Sequence, residues 1–143
     1  MATLEKAIEI AVNAHAGQTD KAGRPYVLHP LWLMHQFEDM DAMMVAVLHD
    51  AVEDSSLTLG DLSGEGFPSH IVDAVDAITN REGELYESYI QRVQAHPIAL
   101  RVKLADLEHN MDIRRMAQIR DRDLARLDKY HKTWKKLRQV AAR

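Results

Sequence analysis

Met43-Met44-Val45-Ala46-Val47-Leu48-His49-Asp50-Ala51-Val52-Glu53-Asp54 is the stretch on which the reading of this chain turns. An uncharged apolar run gives way abruptly to an imidazole and three carboxylates. Strict apolar alternation is almost absent from the chain, and i, i+3, i+4 spacing recurs throughout, so the run reads as buried helix. Charged groups at the end of a buried helix are costly unless paired or bound to a cation. On a helix His49 and Glu53 share one face, and so do Asp50 and Asp54. His49 and Asp50 lie about 100° apart and can grip one ion from either side. A lone His-Asp pair is weak evidence, since most such pairs are surface residues. This one has company in His29-Pro30 upstream and Lys103-Leu104-Ala105-Asp106 downstream.

Two imidazoles and two carboxylates from separate segments are what a hard or borderline divalent cation needs. Glu53 and Asp54 then remain free to handle a water. Asp106 and Asn110 repeat the i, i+4 relation on a later helix, with Lys103 near the same face. The arrangement reads as a metal-dependent phosphohydrolase.

Outward from this stretch the periodicity predicts an all-α protein. The first helix runs from Leu4 to about Ala16, with Thr3 as N-cap, and Gly17 ends it. Gly17 to Leu28 reads as an ordered loop, and a second helix opens at His29-Pro30 with proline in its first turn. Further helices are expected over Asp41 to Val52, Pro68 to Thr79, Leu85 to Ala95 and Ile98 to Arg115, with a short turn at Thr58 to Leu62. A last helix starts near Asp123, its inward stripe formed by Leu124, Leu127, His131, Trp134, Leu137 and Ala141. No repeat or linker interrupts the chain, so residues 1–143 are expected to form a single domain.

With 46% hydrophobic residues over 143 positions there is enough apolar surface for a core. The absence of cysteine excludes disulfides, thiolate metal sites and a cysteine nucleophile. Any metal must sit on histidine and carboxylate. The first residues lack the basic and apolar regions of a signal peptide, and no run approaches a membrane span. A cytoplasmic location and no membrane partner are expected. Arg120 to Arg143 holds nine basic and three acidic residues against nine and nineteen in the rest. The apolar stripe through that segment favours a solvated helix face over a nucleic-acid partner. The sequence sets no oligomeric state.

His15-Ala16-Gly17-Gln18, Gly23-Arg24-Pro25-Tyr26-Val27-Leu28-His29-Pro30, Val47 to Asp54 and Val102-Lys103-Leu104-Ala105-Asp106 together resemble the HD-superfamily hydrolase domain of RelA/SpoT-type alarmone enzymes. The resemblance covers about Leu4 to Arg115, with a less diagnostic segment at Arg81-Glu82-Gly83-Glu84 and Tyr86 to Ile90. It looks most like a stand-alone small alarmone hydrolase. The resemblance implies a compact HD-domain bundle of about seven to eight helices and a single Mn²⁺, other divalent metals being possible, held by His29, His49, Asp50 and Asp106. It also implies removal of the 3′-pyrophosphate of (p)ppGpp, with Glu53 and Asp54 positioning or deprotonating the attacking water. Lys21 matches a position facing nucleotide phosphates, Asn110 one near the ribose, and Arg81 offers a further phosphate contact. Tyr26, Tyr86 and Tyr89 read as packing before pocket lining, and His15, His35, His70, His96 and His131 as structural or surface residues.

The chain departs from that pattern at two places. Asp20 stands where the family usually carries a base-bracing arginine, and Ile113 where it often has a threonine near the base. Poor discrimination between guanine and adenine is therefore expected, with Asp20→Arg raising activity on ppGpp, unless Arg24 swings in to restore the clamp. Three other readings stay open: an adenine alarmone, a nicotinamide dinucleotide phosphate or a nucleoside monophosphate as substrate. A nucleotide-sensing module without catalysis is a fourth, though a sensor has no need of a water-activating pair.

Overall fold

Residues 2–142 are described by a computed structural model, and among them the chain forms nine α-helices, one 3₁₀ turn and no strand beyond an isolated bridge between Thr19 and Pro25. The helices are α1 (Leu4–Ala14), α2 (Leu28–Met34), α3 (Met40–Leu48), α4 (Ala51–Asp54), α5 (Leu59–Gly64), α6 (Ser69–Ile78), α7 (Tyr86–Gln94), α8 (Pro97–Asn110) and α9 (Asp121–Ala141). The all-α bundle expected from the periodicity is the observed architecture. One helix more than expected is present, because the segment around His49 is split in two.

The core is built around α3. Asp39 caps it by accepting the Ala42 N–H, and every residue from Met44 to Leu48 is buried. A helix apolar all round must be enclosed on all sides, and α3 packs against α1, α2, α6 and α8. Ala7 and Ala11 of α1 present no bulk toward it, so the two backbones approach closely. From α6 come Ile71, Val75 and Ile78, and from α8 Val102 and Leu107, all buried in the same core. The ends are set locally. Thr3 accepts the Lys6 N–H, and Thr58 and Asp61 form a reciprocal capping box that starts α5. Pro97 sits in the first turn of α8, with the His96 ring accepting the Ala99 N–H.

Two boundaries differ from the sequence reading. The helix expected to continue to Arg115 stops at Asn110, and Ile113–Arg115 form a separate 3₁₀ turn capped by Asp112. The last helix starts two residues early, and its expected stripe holds only in part: Trp134 and Leu137 pack inward, but its start is shifted. Asp123, Thr133 and Leu137 are the buried positions, while Leu124 is 55% exposed and His131 faces solvent. The cause lies at its N-terminus, where Asp123 accepts the Arg120 N–H at 2.9 Å and pairs with Arg126. Holding Asp123 inward fixes the phase of everything that follows. No helix among the described residues is long and apolar enough to cross a membrane.

Candidate metal centre

The break between α3 and α4 creates the site. In a continuing helix the Ala46 carbonyl would accept the Asp50 N–H. Instead it accepts the His49 Nδ1–H at 2.7 Å and, more distantly, the His49 backbone N–H at 3.5 Å, and the Asp50 backbone opens to φ −105°, ψ −3°. The same bond fixes the imidazole with its proton on Nδ1. His49 Nε2 is buried without a hydrogen-bond partner and lies 2.9 Å from Asp50 Oδ2 and 3.4 Å from Asp106 Oδ1. A bare nitrogen lone pair facing two carboxylates is repulsive unless something positive sits between them.

His29, in the first turn of α2, completes the group. Its Nε2 is 2.8 Å from Asp106 Oδ1 and its Nδ1 is 2.7 Å from His109 Nδ1. One donor atom from each of His29, His49, Asp50 and Asp106 lies within 4.8 Å of every other. The donor set, two imidazoles and two carboxylates with one buried nitrogen unsatisfied, fits a divalent cation.

Each of these side chains is held from behind, as metal ligands generally are. Asp50 Oδ2 accepts the Tyr26 hydroxyl at 2.5 Å. Burial, reinforced by the charge of Asp50, pushes the Tyr26 phenol far up, so it stays a neutral donor. Asp106 accepts from Lys103 Nζ at 2.9 Å and from Asn110 Nδ2 at 3.0 Å. His109 is clamped between Trp32 (centroids 4.0 Å, 7° between planes) and His29 (4.9 Å, 2°). Burial, then Arg115 and His29, lower the His109 pKa to about 4, so it is neutral at physiological pH. A cation on His29 Nε2 requires the proton on Nδ1, which then donates to His109.

The titrations of the group follow from its crowding. Burial pushes the His49 pKa down, but the charges of Asp50 and Asp106 outweigh it and hold the imidazole well above its ordinary value. Burial opposes ionisation of Asp50, yet His49 brings its pKa down to about 2. Where no cation is bound, a proton on His49 takes its place. Cation and proton therefore compete, and because the His49 pKa is raised, the competition reaches to neutral pH and above. Metal affinity is expected to rise with pH through this range, each ion displacing a proton. Calorimetry in buffers of different ionisation enthalpy reads this directly, and a binding heat that ignores the buffer counts against it.

Glu53 and Asp54, on α4, open to solvent beside the group. Glu53 Oε1 accepts the Asn80 N–H at 2.8 Å, and the Asp54 carbonyl accepts Gln18 Nε2–H at 2.8 Å, tying α4 to the end of α1. Partial burial first, then the charge of Asp50, raise both carboxyl pKa values. An upward-shifted carboxylate is a better proton acceptor.

A cavity of about 320 Å³ opens over His29 and Tyr26. Lys21 and Asn110 line it, as the sequence suggested, and so do Arg115, Met116, Arg126 and Tyr130, which sequence reasoning missed. Arg126 and Tyr130 are an i, i+4 pair on α9. They turn inward for the same reason that Leu124 turns out. The other two predicted contacts are not brought in. Arg24 is exposed outside the cavity lining, and Arg81 pairs with Asp76 at 3.0 Å on the surface. Ile113 is 51% exposed and also lies outside the lining. Tyr89 and Tyr86 pack, donating to Ile78 O and meeting Thr133 Oγ1.

Asp20 is engaged rather than idle. Its Oδ1 accepts the N–H groups of Ala22 and Arg24, both at 2.9 Å, closing the loop that turns through Gly23 at φ +82°. An arginine there would remove both acceptors from the loop that carries Lys21. Asp20→Arg is therefore expected to lower activity rather than raise it, by about tenfold on the scale of a misplaced binding group. Equal or higher kcat/KM in that variant would show that the loop anchor is dispensable.

No protein-family model matches the chain. Its sequence relatives include a probable GTP pyrophosphokinase of Mycobacterium leprae, 33% identical over an alignment that covers 78% of this chain and 16% of that protein. A guanosine-3′,5′-bis(diphosphate) 3′-pyrophosphohydrolase of Vibrio cholerae is 32% identical over 76% of this chain and 17% of its own length. The bifunctional (p)ppGpp synthase/hydrolase SpoT of Escherichia coli is 28% identical over the same shares. The chain thus spans 16% to 17% of the length of these relatives. A solved structure described as a metazoan ortholog of SpoT that hydrolyses ppGpp superposes with a TM-score of 0.74 at 23% identity, over 99% of this chain and 86% of that one. The RelA/SpoT-type resemblance read from the motifs is borne out by these relatives, and the helical bundle by the shared fold.

Proposed function

We propose that the chain is a divalent-metal-dependent phosphohydrolase that removes the 3′-pyrophosphate of (p)ppGpp, with Mn²⁺ as its metal. The observation that carries the reading is the convergence of His29, His49, Asp50 and Asp106 with two spare carboxylates at the edge of the group. Names among the relatives include both pyrophosphokinases and 3′-pyrophosphohydrolases. Glu53 and Asp54 favour hydrolysis, because a group that only binds or senses a nucleotide needs no proton acceptor there.

His29, His49, Asp50 and Asp106 would hold the cation, which when bound supplies Lewis-acid polarisation of a phosphoryl oxygen and acidification of water. The rest falls to the chain. Lys21, Arg115 and Arg126, set against the lining carboxylates Asp20 and Asp112, leave the cavity with an excess of cations suited to phosphate oxygens. Asn110 bridges from Asp106 into the same space. Glu53 or Asp54 takes the proton of the attacking water as its oxygen bonds to the phosphorus on O3′; the P–O3′ bond breaks and the proton passes back to O3′, leaving pyrophosphate and a 3′-hydroxyl. The site uses no protein nucleophile, so no covalent intermediate is expected.

One observation supports a broader substrate range: Asp20 is committed to its loop and Arg24 stands outside the cavity, leaving no arginine in that loop to brace a guanine. A side-by-side assay of ppGpp, its adenine counterpart, NADPH and nucleoside monophosphates with Mn²⁺ tests both readings. Pyrophosphate release from ppGpp, with the adenine counterpart within about a hundredfold, is the expected result. Tight nucleotide binding without turnover by metal-loaded protein would overturn the hydrolase in favour of a sensor.

A further inference from the structure

Arg92 of α7 lies away from the cavity, yet it makes the densest set of side-chain bonds around the segment joining α6 to α7. Its Nε and Nη2 grip Glu84 at 2.8 and 2.7 Å, and its Nη1 donates to the Asp76 carbonyl at 2.9 Å. Its Nη2 also donates to the Thr79 carbonyl at 2.8 Å. That carbonyl belongs to the same peptide group as the Asn80 N–H, and the Asn80 N–H is what Glu53 Oε1 accepts. One rigid, planar peptide is therefore held by a guanidinium at its oxygen and presented to a carboxylate at its nitrogen.

We infer that Arg92 is a positioning residue for Glu53, acting through the Thr79–Asn80 peptide. The role rests on the proposed hydrolysis only for its catalytic consequence. Two physical effects combine. A charge-assisted bond to the carbonyl polarises the peptide and strengthens its N–H as a donor. The bidentate grip on Glu84 and the bond to the Asp76 carbonyl fix the segment against the end of α6, so the donor stays where Glu53 needs it. Gly83, at φ +76°, allows the tight return that brings Glu84 back to Arg92. A lysine could not make this set, since it lacks the planar fork.

The test is a double-mutant cycle with an independent structural readout. Arg92→Met is expected to lower kcat by roughly ten- to a hundredfold with KM within about twofold, the signature of a misplaced group that substrate binding does not need. In a Glu53→Gln background the same change should cost nothing further, because the residue it positions is already gone. Multiplicative losses would make Arg92 merely structural and overturn the inference. Should Arg92→Met fail to fold, Asn80→Pro removes the same donor while leaving the clamp intact. Thr79, at φ −86°, ψ 119°, already has the extended backbone a following proline requires. It should show the same kcat loss and the same absence of further loss with Glu53→Gln. In ¹H–¹⁵N spectra of the wild-type and variant proteins, the Asn80 amide should move upfield in both Glu53→Gln and Arg92→Met. If the wild type releases no pyrophosphate from any nucleotide, the proposed function fails while this amide still decides the inference. A resonance indifferent to both substitutions overturns it.

Discussion

Asp50→Asn is expected to fold, to lose its metal and to lose roughly three decades of kcat or more. The estimate follows from the several kcal/mol that a Lewis acid contributes to phosphoryl transfer, at 1.36 kcal/mol per decade. The fold should survive because Asp50 is a half-buried carboxylate at a helix break, and its Tyr26 partner can bond an amide oxygen equally well. Asp106→Ala makes the instructive contrast. It removes the same metal but also strands Lys103, whose ammonium is buried and held charged well above its ordinary range by Asp106 against the opposing effect of burial. Breaking a buried pair by removing one partner costs about 3–5 kcal/mol. Metal analysis and urea denaturation of the two variants separate the effects. Full metal occupancy in Asp50→Asn, or wild-type stability in Asp106→Ala, would contradict this division of labour.

Glu53→Gln should keep its metal and its fold and still lose about 10²-fold or more in kcat, the usual scale for a positioned base. Glutamine can still accept the Asn80 N–H, so the geometry is preserved while the proton acceptor is not. KM should move little, because the cations that line the cavity do not touch Glu53. The pH profile gives a second reading. Its carboxyl pKa is raised by partial burial, with Asp50 and Asp54 adding to the shift and Asn80 opposing it. The acidic limb of kcat should therefore fall at a higher pH than an ordinary glutamate would give, and that limb should be altered in Glu53→Gln. An unchanged kcat would leave the carboxylate without a part in the reaction.

Much of this centre was legible because its chemistry is carried by residue type and spacing. A buried apolar run ending in His49-Asp50, with His29 and Asp106 in other segments, points to a cation whatever the exact backbone. The break between α3 and α4 was not legible, since helix periodicity carries through it unchanged. It depends on one side chain, His49, taking the carbonyl that the backbone would have used. The phase of α9 was misread for a similar reason. Leu124, Leu127, His131 and Trp134 suggest one stripe, but Asp123, bonded at the N-terminus, shifts its start, turning Leu124 out and Arg126 and Tyr130 toward the cavity. Asp20 reads as a loss because its value lies in two backbone bonds, to residues two and four positions on, which no residue-type pattern displays. His109 and Trp32 could have been paired only by knowing that α2 and α8 meet.

That pairing has an optical consequence. Trp32 is stacked on His109, which is bonded to His29, so the indole would be two rings away from a cation held there. Neutral imidazole is a weak quencher of indole emission and imidazolium a strong one. Because burial and the neighbouring Arg115 lower the His109 pKa to about 4, the emission of Trp32 should be bright at neutral pH and dim in acid. A cation drawing on the His29 ring changes the hydrogen bond offered to His109, and with it the surroundings of the indole. With Trp134 replaced by phenylalanine to leave a single emitter, the chain carries its own fluorescent gauge of whether the centre is loaded.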